Sequence, residues 1–257
     1  MMRKSLDLIL NFFGIFWNFF PHSIRKFLLT SLMIFESRHP NINDGLKNLL
    51  VLRDQLDWIT NERAMKFGKK VHPKHRLTGY HTFFVERIGD GENVLDIGCG
   101  YGAVARSIAE AKTNSVVVGV DMDEGRLDQA RLENKSGNLS FVFGDATKSV
   151  PKGDWDVVVL SNVLEHIVER SKFLNDIQNI TGALKFLIRV PLFEREWQMA
   201  LRKELGVNFY SDDDHKIEHT VAEFRAEIAS SGLEIFELQT MWGEIWAVCG
   251  RVRKNVV

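Results

Sequence analysis

Cysteine is scarce in this 257-residue chain, which contains only Cys99 and Cys249. Each of the two lies in or beside an apolar run with the residue pattern of a β-strand. Two such thiols cannot build a disulfide framework, and they do not form the closely spaced set that a thiolate-bound metal requires. The sequence therefore predicts a reducing, cytoplasmic location and no metal held by thiolates.

The chain also lacks net charge of either sign, because 33 Lys and Arg oppose 34 Asp and Glu. This balance argues against a nucleic-acid partner, which calls for a strongly basic surface. The charges are unevenly distributed: residues 1–87 hold fourteen basic and seven acidic side chains, and the remainder holds nineteen and twenty-seven. The basic N-terminal part could meet an anionic acceptor or an anionic membrane surface, and the acidic remainder suits a cationic ligand.

No apolar run reaches the roughly 20 residues that a membrane-spanning helix needs. Residues 8–20 (LILNFFGIFWNFF) are uncharged and rich in aromatics, Pro21 interrupts them, and residues 27–35 (FLLTSLMIF) continue the apolar pattern. One interpretation is that residues 5–35 form an interfacial anchor at the inner face of the membrane. The other is a helical cap packed on the core or on a second subunit. The anchor would face lipid phosphates with Arg3, Lys4, Arg25 and Lys26.

The most informative segment comprises residues 94–102, VLDIGCGYG. A short apolar run leads to Gly98, Gly100 and Gly102, and Asp96 precedes the first glycine by two residues. The pattern predicts a buried parallel strand that turns tightly into a helix, where the backbone can approach a ligand closely because the glycines have no Cβ. A carboxylate at Asp96 would repel a pyrophosphate but attract a sulfonium or amino group. We therefore expect a cationic, adenosine-bearing cofactor.

Three further apolar runs continue the alternation of strands with helices. The second run ends at Asp121, roughly twenty residues past the glycine turn, where a carboxylate can accept both hydroxyls of a ribose. The third ends at Asp145, and the fourth passes through Ser161 and Asn162. Residues 233–252 have the pattern of two strands with a turn near Trp242. This spacing predicts an α/β fold with a doubly wound parallel sheet and ligands at the carboxyl ends of its strands.

These residues resemble the class I S-adenosylmethionine (SAM)-dependent methyltransferases from about residue 76 to the C-terminus. The first motif of that family, D-x-G-x-G-x-G, is present from Asp96 to Gly102. The resemblance implies SAM as the cofactor and a seven-stranded, mostly parallel sheet whose antiparallel seventh strand lies between the fifth and sixth. It also implies that SAM contacts Tyr80, Asp96, Gly98, Cys99, Gly100, Gly102, Asp121, Met122, Asp145, Ala146, Ser161 and Asn162.

The expected organisation is a helical N-terminal extension over residues 1–75 and a methyltransferase core over residues 76–257. An acceptor-loop insertion of about residues 192–219 follows the fifth strand. Between the extension and the first strand, His72, Lys74, His75 and Arg76 form a basic cluster that could bind a phosphate or carboxylate on the acceptor.

Two alternatives to an active methyltransferase stay open. Gly98, Gly100 and Ala103 also satisfy the dinucleotide pattern G-x-G-x-x-G/A, which would suit an NAD(P)-dependent oxidoreductase. The chain has no Tyr-x-x-x-Lys pair, however, and no evident acid or base to position a hydride. The second alternative is a catalytically silent SAM-fold scaffold that binds partners through its apolar N-terminus.

The expected reaction is methyl transfer to an oxygen of a small-molecule, glycan or lipid-linked acceptor. The fourth strand continues without an Asn/Asp-Pro-Pro-Tyr/Phe motif, which argues against a planar amino group as acceptor. A hydroxyl acceptor must lose a proton, most simply to a histidine. The candidates are His166 after the fourth strand and His215 and His219 in the insertion. We expect no metal, because consecutive carboxylates such as Asp212–Asp214 are more often solvated than ligating.

Overall fold

The computed structural model describes residues 12–69 and 71–251. Residues 5–11 of the expected anchor, together with Arg3 and Lys4, lie outside these described residues. The predicted boundary at residue 76 falls within a short helix, Lys74–Thr78, and stays a prediction.

The described residues form seven strands: β1 Val94–Ile97, β2 Val117–Asp121, β3 Leu139–Phe143, β4 Val157–Ser161, β5 Lys185–Pro191, β6 Glu234–Met241 and β7 Glu244–Gly250. They make one sheet in the order β3-β2-β1-β4-β5-β7-β6. Neighbouring strands among β1 to β5 are parallel, whereas β7 is antiparallel to both β5 and β6. This topology confirms the predicted fold, including the position of the last strand.

Apolar side chains cover both faces of the central strands, as expected for a parallel sheet between two layers of helices. Val94, on one face of β1, belongs to a core cluster that also contains Phe84 and Ile108. Leu95, on the opposite face, joins Leu174 and other residues in the second cluster. The helices that follow the strands are α6 Ala103–Ala111, α7 Glu124–Glu133, α8 Arg170–Thr181 and α10 Val221–Ser230.

The closing hairpin turns at Trp242 and Gly243, where the sequence places it. Both residues have positive φ, 55° and 77°, and the flanking residues Met241 and Glu244 pair directly. Two central residues in the left-handed region match the right-handed twist of the flanking strands.

The N-terminal part is helical throughout most of its described length. It comprises α1 over residues 12–19, α2 His22–Ser37, α3 Ile42–Phe67, α4 Lys74–Thr78 and α5 Tyr80–Glu86. Within the described ranges, no helix is both long and apolar enough to cross a membrane.

The amphipathic pattern of residues 43–66 predicts a packed helix with a cap at Asn43 or Asp44, and this helix is α3. The cap is instead Asn41, whose side chain accepts a hydrogen bond from the Asn43 N–H. Only part of the apolar face is covered, since Leu50 is buried but Leu56 is 59% exposed. The helix is held by a polar contact: the Arg202 guanidinium donates to the Leu50 carbonyl at 2.9 Å.

The apolar spacing before β1 predicts a single helix from about Leu77 that packs Leu77, Tyr80 or His81, Phe84 and Ile88 toward the sheet. The segment instead forms two helices. Gly79 lies between α4 and α5 with φ of 65°, and this left-handed residue ends α4. Leu77 is consequently 59% exposed, whereas Tyr80 and Phe84 are buried as predicted. The predicted insertion is also partly helical, since it contains a 3₁₀ turn at Phe193–Arg195 and α9 Gln198–Leu205.

Candidate cofactor and acceptor site

A cavity of about 850 Å³ lies at the carboxyl ends of β1, β4 and β5. Volumes of 300–1,000 Å³ are typical of sites for small molecules and cofactors. Six of the predicted cofactor residues line it: Tyr80, Asp96, Gly98, Cys99, Ser161 and Asn162.

Asp96 places a buried carboxylate in the wall of this cavity. The residue is 1% exposed, and its Oδ2 atom has no hydrogen-bond partner in the described part of the chain. Burial, and secondarily the charge of Asp121, raises the pKa of Asp96 to about 8. A carboxyl group in this state gains most from a cationic partner, which agrees with the charge expected of the cofactor.

Two glycines of the turn after β1 differ in the space around their Cα atoms: Gly100 has free space beside it, whereas Gly102 is packed against a side chain. Gly100 has φ of 53°, and a Cβ placed there would meet no atom within 4 Å. Gly102 has φ of 70°, but a Cβ there would collide with the ring of Phe141. Gly100 therefore leaves space for a ligand, and Gly102 allows helix α6 to pack close to β3.

Asp121, at the end of β2, orders the glycine turn. Its carboxylate accepts hydrogen bonds from the Gly100 N–H at 2.7 Å and from the Asp123 N–H at 2.9 Å. Since a carboxylate offers about four acceptor positions, these two bonds leave capacity for ribose hydroxyls. Asp121 is 8% exposed and is not among the residues that line the cavity.

The other residues expected on the adenosine side lie outside the cavity lining. Met122 is 70% exposed. Asp145 accepts hydrogen bonds from Thr147, and these bonds together with Lys148 lower the pKa of Asp145 to about 2. Ala146 packs against the core. Contacts of Met122, Asp145 and Ala146 with the cofactor therefore stay predictions.

Comparison with known proteins identifies a methyltransferase domain. Residues 94–185 match the family model described as a methyltransferase domain. The chain has the fold of the class I SAM-dependent methyltransferases. SAM is the cofactor that this domain implies. The buried, unpartnered carboxylate oxygen of Asp96 and the open space at Gly100 fit a cofactor that carries positive charge. The match supports the methyltransferase interpretation of the glycine motif over the nicotinamide one.

The chain is similar to curated methyltransferases with different acceptors. It is 33% identical over 144 residues to the ribosomal protein L11 methyltransferase of Thermotoga maritima, covering 54% of this chain and 51% of the relative. It is 30% identical over 109 residues to the ubiquinone biosynthesis O-methyltransferase of Shewanella halifaxensis, covering 40% and 45%. The chain thus spans about half the length of the curated relatives it matches.

Solved structures share the fold. The magnesium protoporphyrin IX methyltransferase of Synechocystis PCC 6803 with bound SAH superposes with a TM-score of 0.54 and 16% identity, covering 70% of this chain and 83% of that one. The neocarzinostatin biosynthesis O-methyltransferase, solved with S-adenosyl-L-homocysteine and a dihydroxynaphthoic acid, gives a TM-score of 0.54 and 18% identity. Coverage is 70% of this chain and 56% of that chain.

Sequence reasoning missed one buried cation at this site. Arg189 lies on β5, is 4% exposed and forms a two-point ion pair with Glu244 at 2.6 and 2.7 Å. Its guanidinium also donates to the Ser161 hydroxyl at 3.1 Å and lies 3.9 Å from the centre of the Tyr80 ring. The available signal was an arginine within the apolar run of residues 183–192.

The basic cluster before β1 contributes histidines to the cavity. The Tyr80 hydroxyl lies 2.7 Å from Nδ1 of His75, and His81 bridges between His75 at 3.1 Å and the Ser107 hydroxyl at 2.7 Å. Burial lowers the pKa of His75 and lowers that of His81 to about 4. Both imidazoles are therefore neutral near pH 7. His72, Lys74 and His75 line the cavity.

Two of the three predicted catalytic histidines come together. The rings of His166 and His215 meet edge to face, with centroids 4.8 Å apart. His166 lies in the 3₁₀ turn Leu164–His166 after β4, and His215 is brought to it because the Lys216 N–H donates to the Glu165 carbonyl at 2.7 Å. Burial lowers the pKa of His166. Burial also acts to lower the pKa of His215, but the hydrogen bond to Glu218 and nearby carboxylates outweigh it, so the pKa of His215 is raised.

His219 does not join this pair. Its side chain is fully buried, pairs with Glu227 at 3.1 Å and packs on Phe224 in α10. These contacts give His219 a place in the packing between the insertion and α10. We therefore revise the expectation for His219 and keep His166 and His215 as the candidates that act on an acceptor.

Proposed function

We propose that this chain transfers the methyl group of SAM to a hydroxyl oxygen of a small amphiphilic acceptor, either a glycan or a lipid-linked molecule. The observation that carries the proposal is the His166–His215 pair, which follows the cavity-lining residues Ser161 and Asn162 in the turn after β4. Neither histidine lines the cavity itself. Similarity to an O-methyltransferase of ubiquinone biosynthesis supports an oxygen acceptor. Similarity to a ribosomal protein methyltransferase supports the competing hypothesis of a protein acceptor, which the experiment below must distinguish from an oxygen acceptor on a small molecule.

The cofactor side of the site would be held by the chain's own charges and backbone. Asp96 would accept a hydrogen bond from the amino group of SAM, and Asp121 would accept from ribose hydroxyls while it orders the turn at Gly100. Tyr80, fixed by His75 and Arg189, would close the cavity against water. When bound, SAM supplies an electrophilic methyl group on a positively charged sulfur. The protein's main contribution is then alignment and exclusion of water.

We further propose that α1 and α2 bind a lipid surface and bring the cavity to a membrane-embedded acceptor. All 16 residues of α2, each within the described ranges, are exposed or half-buried. Phe27 is 69% exposed and Phe35 is 71% exposed, while Arg25 and Lys26 lie on the same helix. Large apolar side chains beside basic residues suit the boundary between lipid headgroups and acyl chains. A location at the inner face of the membrane follows as part of this proposal.

The transfer is tested with SAM carrying a radioactive methyl group, incubated with the full chain and lipid, glycan, small-molecule or protein fractions. We expect label in the lipid or glycan fraction, stable to mild alkali as an ether is. Label in protein alone would contradict the proposed acceptor. Tight SAM binding without label in any fraction would favour the scaffold interpretation.

The membrane contact is tested by co-sedimentation with vesicles of anionic phospholipid. A Phe27→Glu, Phe35→Glu variant should lose vesicle binding, because two charges replace apolar contacts. The matched control is Leu132→Glu on α7, where the side chain is 81% exposed and remote in sequence from α2. Equal binding by all three proteins would refute the anchor.

A further inference from the structure

At the 3₁₀ turn after β4, three side chains from two segments of the chain lie close together. Ligand atoms of Glu165, His166 and His215 all lie within 4.8 Å of one another. A second group, Asp212, Asp214 and His215, satisfies the same limit. His215 belongs to both groups, and Asp214 lies 3.1 Å from Nδ1 of His166. The insertion therefore closes a set of nitrogen and oxygen donors around the end of the 3₁₀ turn.

The buried carboxyl group of Glu165 is a second observation that points to a bound cation. Its side chain is fully buried, and neither carboxylate oxygen has a hydrogen-bond partner within residues 12–69 and 71–251. A buried carboxylate with no partner is costly, so such a group is retained where a cation or a proton satisfies it. The two imidazoles beside it offer ring nitrogens, the donors that divalent transition metals prefer.

His215 is oriented as a metal ligand would be. Its Nδ1 atom lies 3.0 Å from Oε1 of Glu218, a carboxylate with no exposed side-chain surface. Glu218 is itself held by the Ser211 N–H at 2.6 Å and by Arg195 at 2.5 Å. This arrangement leaves Nε2 of His215 free to bind a cation. A carboxylate that fixes one imidazole nitrogen while the other binds metal is a recurrent feature of metalloproteins.

We propose that Glu165, His166 and His215 bind one divalent transition-metal ion, with Asp214 as a nearby fourth carboxylate. Two imidazoles and a carboxylate suit Mn²⁺, Fe²⁺ or Zn²⁺ better than Mg²⁺ or Ca²⁺, which favour oxygen donors. This assignment replaces the sequence-based expectation of a metal-free site. It rests on the side chains of the described residues and holds whichever acceptor the enzyme uses.

The position of the ion after β4 suggests that it acts on the acceptor hydroxyl, and this inference rests on the proposed function. Asn162 lines the cavity three residues before Glu165, has φ of 59°, and its buried Oδ1 is also without a partner in the described ranges. The ion would lie beyond Asn162, at the end of β4, and would polarise an acceptor hydroxyl that reaches it from the cavity. The hydroxyl proton would pass to solvent water near Asp214, whose side chain is exposed. The oxygen lone pair would form the new C–O bond while the C–S bond breaks and its electron pair remains on sulfur.

The metal site is tested with the full chain after treatment with a chelator and dialysis. Calorimetric titration with Mn²⁺ and with Zn²⁺ should give one site per chain, and the electron paramagnetic resonance signal of free Mn²⁺ should fall in parallel. Glu165→Gln and His215→Asn should weaken binding by about 100-fold, and the positioning variant Glu218→Gln by about tenfold. Asp213→Asn is the matched control, since Asp213 lies in the same loop but in neither group.

SAM binding by each variant reports whether the fold is intact. No metal binding by a wild-type chain that binds SAM would overturn the site, as would unchanged affinity in Glu165→Gln. Metal binding together with methyl transfer only to protein would support the site and contradict the proposed acceptor. Oxygen methylation that continues at full rate in the chelated, metal-free protein would overturn the catalytic role of the ion.

Discussion

The backbone N–H of Gly100 donates to the Asp121 carboxylate at 2.7 Å, so the end of β2 holds the turn that follows β1. Asp121 is the last residue of β2, whereas Gly100 lies in the turn that follows β1. Asp121 orders the glycine turn, and under the proposed function its carboxylate would also accept hydrogen bonds from the cofactor's ribose. Loss of the carboxylate would then affect both the turn and cofactor binding.

We expect Asp121→Ala to weaken SAM binding by at least about tenfold, because hydrogen bonds to a charged group each contribute about 1.5–3 kcal/mol. Isothermal titration with SAM and its demethylated product measures the change. The control is Asp123→Ala, which removes the side chain that caps α7 through the Arg126 N–H. That variant should lose about 1 kcal/mol of stability but keep its SAM affinity. An equal loss of affinity in both variants would contradict a specific role for Asp121.

Asp96 should make cofactor binding depend on pH. Its pKa is about 8 in the free protein, so near pH 7 the carboxyl group is largely protonated and must ionise to pair with a cation. The ratio of wild-type to Asp96→Asn affinity for S-adenosylhomocysteine should therefore rise as the pH increases from 7 to 9. Using the ratio cancels titration of the ligand's own amino group. A ratio that stays constant over this range would argue against the pairing.

The same shift predicts an opposite effect on stability. Because burial raises the pKa of Asp96 in the folded protein to about 8, above the ordinary value of an aspartate, the folded protein binds more protons than the unfolded chain between about pH 4 and 8. The contribution of Asp96 to stability therefore falls as the pH rises through that window. Asp96→Asn should raise the melting temperature of the cofactor-free protein at pH 8 while it weakens cofactor binding. A lower melting temperature would show that the carboxylate is structurally required.

Arg189 and Glu244 should be strongly coupled. Arg189 has a side chain that is 5% exposed, and removing either partner leaves the other charge poorly compensated. We expect Arg189→Met alone to cost about 3–5 kcal/mol in urea unfolding. The double variant with Glu244→Gln should cost less than the sum of the two single changes. If the losses in free energy of unfolding of the two single variants simply added, the two side chains would have no interaction energy with each other.

Gly102 and Gly182 provide a matched test of packing against backbone strain. They have φ of 70° and 67°, but a Cβ at Gly102 would strike the Phe141 ring, whereas a Cβ at Gly182 would meet nothing within 4 Å. Gly182→Ala should cost about 1 kcal/mol for the left-handed conformation alone. Gly102→Ala should cost about 1–3 kcal/mol more, because the ring or α6 must move. Equal melting temperatures for the two variants would contradict the close contact.

The amino-acid sequence by itself determined the parallel core, because each strand and turn there is encoded locally. Residues 94–102 contain the buried strand, the carboxylate and the glycines of one turn, and Trp242 with Gly243 marks the closing hairpin. Such patterns need only neighbouring residues to be recognised. The order of β7 between β5 and β6 followed from the resemblance to a family, since periodicity does not report which strands pair.

Tertiary structure alone decided which distant polar groups meet. His166 and His215 are far apart in sequence and touch because the insertion folds back onto the turn after β4. Arg189 looks like an interruption of an apolar strand until Glu244 and Tyr80 are placed beside it. The energy of a buried charge depends on its partners and its burial, and both are set by chain segments that no local pattern connects.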